Sequence, residues 1–470
     1  MSARSLMWLL AAALIAIPSF FIFPSHLMAQ QPSLVIRNIS VIDGLSPEIQ
    51  PNRTVVILGN RIKAIGEKGK VAIPKRAKVI DGRRKYLIPG LWDSHVHLNS
   101  PDSLPLFVAN GITGVREMGG DFAVVKDLRD RISTGKVLGP RIKIAGPILE
   151  SERWMKWASD NAKKDNDTGM LEILSKRIAI TDPEQARETV RKLAGLGVDL
   201  IKVRNTHAAD AFLAILSEAK KYNLPVAAHA PRMNLITASD GGLKSIEHVD
   251  TVTVVRGNVE VDDLAKAFVR NGTLYTPTLI AQVIWRLTPK ASLSELLNDV
   301  DGKIHERNRY VSSAVLDRWK LDFEMQKNEG SFDWATPSRK GISEFRAMKQ
   351  AGVEALAGTD FGSPLIYAGF SLHDELEALV REGGLTPFEA LQSATRNAAR
   401  FFGIEDEIGT IGQGKIADLV ILTASPLENI SNTRKIDGVI LNGKHLSRSE
   451  LAKALERAQH QIQRAKSQKK

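Results

Sequence analysis

From Leu34 to Ile80 the chain is built of short β-branched runs, LVIRNISVID, TVVILGNRIKAIG and AKVIDG, each cut by Gly, Asn or Asp. Such runs between turn residues read as strands. The texture returns soon after residue 403, in IGTIGQGKIADLVILT and IDGVILNGKHL. The two ends are expected to pair into one composite β-sandwich domain, residues 30–88 with 403–450. Between them, residues 89–402 change rhythm. In DPEQARETVRKLAGLG, Asp182 stands at the N-cap, Pro183 at the first helical position and Gly at the exit, and the run VDLIKV follows. AFLAILSEAKKYN feeds LPVAAHA; KSIEHV, LYTPTLI and VEALAGTDFG come after. LTPFEALQSATRNAARFFG, opened by Thr386-Pro387, reads as a helix closing the series at Gly403. Repeated helix-then-strand units imply a parallel sheet with right-handed crossovers. At least seven strands over roughly 310 residues fit an α/β fold of the (β/α)8 TIM-barrel type.

Two stretches break the repeat. Residues 150–180 and 281–340 are long excursions rich in charge and carry Trp154, Trp157, Trp285, Trp319 and Trp334. These indoles either wall a substrate pocket or pack the insertions. Residues 1–29 have one early arginine, Arg4, a long uncharged apolar run interrupted by Pro18, and then a polar stretch. This is the layout of a signal peptide cleaved after Ala29, with an uncleaved anchor as the alternative. Either way the body is expected to be exported, to the periplasm or cell envelope.

Composition narrows the chemistry. The 470 residues include no cysteine, so disulfides and thiolate metal sites are excluded. Any metal must take nitrogen and oxygen ligands. The net charge is +11, and residues 451–470 hold six Lys/Arg against one Glu. That segment reads as a basic, solvated helical tail; no nucleic-acid motif accompanies it, and no nucleic-acid partner is expected. Membrane contact is expected only through an uncleaved N-terminal segment.

The stretch LIPGLWDSHVHL, residues 87–98, places Asp93, His95 and His97 at the end of an apolar run. Two histidines two positions apart on a strand point the same way. Further along, apolar runs end at Lys202, His229, His248 and Asp360. Parallel strands bring these ends to one face, where barrel active sites lie. A single strand-end histidine is often only a hydrogen-bonded core residue. Four of the chain's ten histidines in this ordered series, with a lysine and an aspartate, point to metal.

The motifs PGLWDSHVHL, GITGVREMGG, VDLIKVR, VAAHA, SIEH, AGTDFG and GTIGQGKIADLVIL carry a resemblance over residues 33–447. The chain resembles the amidohydrolase superfamily, in particular its imidazolonepropionase-like and prolidase-like exported members. The resemblance implies that His95 and His97 bind one divalent ion with Asp360. His229 and His248 would bind a second, with Lys202 bridging both as a carbamate formed from CO2. An ammonium has no lone pair for a metal, whereas a carbamate offers two anionic oxygens. Zinc suits such a ligand set. A one-metal branch of the superfamily that deaminates bases or opens rings often has a Glu three residues after the fifth-strand histidine. Arg232 stands there, which favours two metals and hydrolysis.

The implied reaction is cleavage of an amide C–N bond by a hydroxide bridging the two ions, with Asp360 carrying the proton to the leaving amine. Arg116, Arg204 and Arg232 are candidates to clamp a substrate carboxylate. Tyr275 and His373 are candidates to reach the substrate from the rim. The expected substrate is a dipeptide or N-acyl amino acid, and a homo-oligomer is compatible with the sequence. An ester or lactone hydrolase on the same metals, or a non-catalytic metal-binding envelope protein, are the competing readings.

Overall fold

The computed structural model describes residues 33–206, 208–328 and 335–468, so the expected signal segment and Trp334 lie outside the described residues. The chain enters through β1 (Ser33–Val41), β2 (Gln50–Leu58), β3 (Arg61–Glu67), β4 (Lys78–Asp81) and β5 (Tyr86–Pro89). It continues through β6 (Leu91–Val96), β7 (Ile112–Glu117), β8 (Arg141–Ile144), β9 (Ile148–Ser151) and β10 (Arg177–Ile180). Four three-residue strands follow: β11 (Ile201–Val203), β12 (Val226–Ala228), β13 (Ser245–Glu247) and β14 (Leu274–Thr276). It leaves through β15 (Leu419–Leu422), β16 (Ile436–Leu441) and β17 (Lys444–Ser447).

The first and last groups form one eight-stranded sheet, in the order β17-β16-β15-β5-β1-β2-β3 with β4 branching from β1. Strand β5 joins the two ends of the chain. It runs parallel to β1 at Ser40↔Tyr86 and antiparallel to β15 at Leu87↔Ile421. Ile36, Val55, Ile57, Leu87, Ile421 and Ile440 supply this sheet's own apolar core.

The central strands pair only in parallel, as β6-β7-β8 and as β10-β9-β11-β12-β13-β14. Every residue of β6 and β7 is buried, as parallel strands covered on both faces require. Residues 354–361 form no ladder of their own but bond to both sheets. Tyr275 N donates to Glu354 O and Leu356 N to Tyr275 O; Ser94 N donates to Ala357 O and Asp360 N to His95 O. Two glycines permit this approach. A Cβ on Gly358 would lie 2.8 Å from His95 Cβ, and Gly362 has φ +120° beside His97.

Helix Pro183–Leu196 is capped as its sequence anticipates, Asp182 accepting from Glu184 N and Gln185 N and Gly197 closing it at φ 77°. The helix opened by Thr386 carries a full capping box but ends at Ser393, and a second helix runs Arg396–Phe402. The break frees two carbonyls for the strands: Trp92 N bonds Ala394 O at 2.7 Å and Ala357 N bonds Ser393 O at 3.1 Å.

The first excursion folds as helices Glu152–Lys164 and Thr168–Ser175 and returns as β10 beside β9. The second has its own apolar cluster of Leu293, Leu297, Leu316 and Trp319 with Leu365 and Tyr367. The basic C-terminal segment departs from expectation. It forms helix Arg448–Gln468, whose Leu451, Ala454, Ala458 and Ile462 are buried. These positions recur at helical spacing and make one stripe. The charged residues hide that stripe in the sequence because two of its four members are alanines. Lys466 Nζ donates to Val300 O at 2.8 Å. Among the described residues no helix is long and apolar enough to cross a membrane. Ile462→Ala is expected to cost about 2–4 kcal/mol, read by urea unfolding; a loss below about 0.5 kcal/mol, typical of surface positions, would place this helix in solvent.

Candidate metal centre

Three imidazoles are anchored through Nδ1 by groups that accept. His95 Nδ1 meets Glu247 Oε2 at 2.8 Å, and His97 Nδ1 meets Gly119 O at 2.9 Å. His248 Nδ1 meets Thr278 Oγ1 at 2.8 Å, and that hydroxyl already donates to Pro277 O. In each ring the proton therefore sits on Nδ1 and the lone pair on Nε2. These Nε2 atoms turn to one centre. His95 and His97 Nε2 each lie 3.5 Å from Asp360 Oδ1. His248 Nε2 lies 3.2 Å from His229 Nε2. Ligand atoms of His95, His248 and Asp360 all fall within 4.8 Å of one another.

Burial disfavours charge on three of the rings, whereas Asp360 outweighs it at His97 and raises that imidazole. Burial holds His95, His229 and His248 below the usual imidazole range, and the Lys202 charge pushes the same way. Burial also opposes charge on Asp360. The adjacent His97, His248 and His95 outweigh it and hold the carboxyl far below the usual carboxylate range. Asp360 has φ +61° and His248 φ +66°, both in the left-handed region. Strained backbone of this kind persists where surrounding structure over-determines it.

Lys202 is 1% exposed, and its Nζ has no hydrogen-bond partner among the described residues. Burial lowers its ammonium pKa to about 8. An unpaired buried ammonium is costly. The donor set of Nε2 lone pairs, one carboxylate and one amine fits divalent cations with nitrogen and oxygen ligands.

The structure thus brings His95, His97, Lys202, His229, His248 and Asp360 together. It corrects three other assignments. Arg116 is buried and gives Nη2 to Glu247 Oε1 and Oε2, both at 2.9 Å, and Nη1 to Ser245 Oγ at 2.8 Å. Its guanidinium braces the protein's own carboxylate and is not free for substrate. Tyr275 is 1% exposed and packs edge-on against Phe345 at 5.2 Å in the apolar core. His373 is buried between Thr433 Oγ1 at 2.9 Å and Asn110 O at 3.0 Å. Asn110 precedes β7, so His373 stands at the end of the strands opposite Lys202, His229 and Asp360. Arg204 Nη1 pairs with the buried Glu150 at 2.8 Å while a third of its side chain stays exposed. Arg232 is exposed beyond His229.

Sequence reasoning passed over Glu247 and Glu117 and gave Asp93 no role. Glu247 precedes His248 in SIEH and is the carboxylate behind both His95 and Arg116. Asp93 accepts from Thr359 N and Oγ1 and so ties β6 to the Asp360 segment. Glu117 is fully buried, and burial raises its carboxyl to about 7. The available signal was a carboxylate within or ending a strand that parallel pairing covers on both faces, which demands a partner.

The Amidohydrolase family profile matches residues 86–446. The chain belongs to the amidohydrolase family. This amidohydrolase is accordingly a hydrolase acting on carbon–nitrogen bonds. It is 25% identical over 433 residues to the ochratoxinase of Aspergillus niger, covering 81% of this chain and 79% of that one. A solved Xaa-Pro dipeptidase with methionine bound in its active site matches at TM-score 0.66 and 25% identity, over 88% of this chain and 100% of that one. Molinate hydrolase shares the fold at TM-score 0.65 and 18% identity, over 89% and 96% of the two chains.

Arg116→Ala strands Glu247 as a buried charge and is expected to cost about 3–5 kcal/mol in urea unfolding; wild-type stability with only a raised KM would restore the clamp. His373 makes a separate acid-limb prediction. Burial lowers its pKa from 6.5 to about 3, so between those values the unfolded chain binds a proton that the folded one refuses. Its stabilising contribution is whole above pH 6.5 and falls away toward pH 3, by a few kcal/mol at most. Stability of His373→Asn is expected to fall less steeply than wild type across pH 6.5 to 4; parallel curves would contradict this.

Proposed function

We propose that this amidohydrolase is an exported two-metal enzyme that hydrolyses the amide C–N bond of a small substrate with a free carboxylate, of the dipeptide or N-acyl amino acid class. The observation that carries the reading is the convergence of the His95 and His97 Nε2 atoms on Asp360 and of the His229 and His248 Nε2 atoms on each other, beside a buried Lys202 whose Nζ has no hydrogen-bond partner among the described residues. His95, His97 and Asp360 would hold one ion, His229 and His248 the other, and Lys202 would span them as a carbamate. The near-neutral pKa of Lys202 supports this, since only the free amine takes up CO2. Bound ions would polarise the scissile carbonyl and activate water near neutral pH, zinc being well suited.

The chain's own groups then divide the work. Asp360 is ionised and oriented, its Oδ2 accepting from Ser363 Oγ at 2.8 Å. It takes the proton of the attacking water and returns it to the leaving nitrogen. Glu247, Thr278 and the Gly119 carbonyl hold the imidazoles, so the site is organised before substrate arrives. The likeness to a Xaa-Pro dipeptidase supports a peptide-like substrate. We further read the two parallel sheets with residues 354–361 as one closed (β/α)8 barrel, the end sheet as a sandwich, and residues 1–29 as the export signal.

With zinc and bicarbonate supplied, Asp360→Asn is expected to lower kcat on the best dipeptide or N-acyl amino acid by about 10²–10⁴-fold. Lys202→Ala is expected to lose activity that added acetate or propionate partly restores, the small carboxylate replacing the carbamate. Wild-type turnover by Lys202→Ala without added carboxylate would remove the carbamate. No hydrolysis across both substrate classes by the metal-loaded wild type would remove the function.

A further inference from the structure

The rim beside Lys202 holds one positive charge more than its own pairing requires. Glu150 lies within β9, which β10 and β11 flank, and is fully buried. Its Oε2 accepts from Arg177 Nη1 at 3.0 Å on one side and from Arg204 Nη1 at 2.8 Å on the other. Two guanidiniums against one carboxylate leave a net charge of about +1. Among the described residues Glu150 is the only side chain that accepts from either guanidinium, so most of their N–H donors are uncommitted.

The indole of Trp154 lies beneath both, 4.1 Å from the Arg204 guanidinium carbon and 5.2 Å from that of Arg177. Ser151 caps its helix and fixes the approach, Trp154 N donating to Ser151 Oγ at 3.1 Å. Stacking holds a guanidinium flat while its edge stays able to bond. Arg204 follows Lys202 by two positions, so both point to one face of the strand direction. Its charge is felt at Lys202 and at His229. A purely structural ion pair would need one arginine; the second, with 16% and 33% of the two side chains exposed, suits an incoming anion.

We propose that Arg177 and Arg204, stacked on Trp154 and spaced by Glu150, form the subsite that binds the substrate's carboxylate and so selects free acids over neutral amides. This rests on the proposed hydrolase of carboxylate-bearing amides and replaces Arg116 in the expected clamp. A planar carboxylate meets guanidinium edges through paired hydrogen bonds, which a carboxamide satisfies only in part.

The test is a binding ratio, read by calorimetry on the full-length, zinc-loaded protein with two probes that carry a sulfonamide in place of the scissile N-acyl bond, N-mesyl-L-phenylalanine and N-mesyl-L-phenylalaninamide. The acid is expected to bind at least about tenfold more tightly than the amide, and 1 M salt is expected to shrink that gap. Arg177→Gln and Arg204→Gln are each expected to bring the ratio close to one, and Arg204→Lys to restore it only in part. Trp154→Leu keeps the charged trio and is expected to lower the ratio too, which covers failure of either arginine variant to fold. Equal binding of acid and amide by wild type, binding of neither, or an unchanged ratio in the folded variants would overturn the subsite. The readout needs no turnover. A missing amidase activity would count against the hydrolase alone, and turnover with no acid preference against the subsite alone.

Discussion

A single buried carboxylate, Glu247, sets the geometry on which the centre depends. It receives two bonds from Arg116 and one from His95 Nδ1, with none of the three residues more than 1% exposed. Burial alone would protonate it; the Arg116 charge and the His95 hydrogen bond hold it ionised. The trio joins β13, β7 and β6 across the interior. Because the carboxylate can only accept, His95 must carry its proton on Nδ1 and turn its lone pair inward. One electrostatic constraint thus fixes a tautomer, a ring orientation and the relative placement of three strands.

The other strand-end groups are arranged around that fixed ring. Gly358 and Gly362 let residues 354–361 lie against β6, which carries Asp360 to both His95 and His97. Asp93 locks the same contact by accepting from Thr359. The helix break after Ser393 supplies carbonyls to Trp92 and Ala357 at the other end of this layer. Strain at Asp360 and His248 is tolerated because each is held from several sides.

The series of strand-end polar residues was legible because parallel strands announce themselves as apolar runs, and a polar residue ending one has few places to go but the rim. The caps at Asp182 and Thr386 were legible because they are local. Long-range pairing was not. Arg116 reads as a clamp until Glu247 is seen to face it, and His373 reads as a rim residue because helical spacing does not say which end of a strand it meets. The C-terminal helix reads as solvated because its buried stripe is short and half alanine. Arg177 lay in an excursion without periodicity, and only the pairing of β10 with β9 brings it to Glu150.

The central claim is that the Nε2 atoms ordered by this scaffold, with Lys202 and Asp360, hold two ions. Titration of metal-free protein with zinc in bicarbonate buffer, followed by metal analysis after removal of free ion, tests it most directly. The account predicts saturation at two zinc ions per chain. Saturation at one, or no retained zinc, would contradict it.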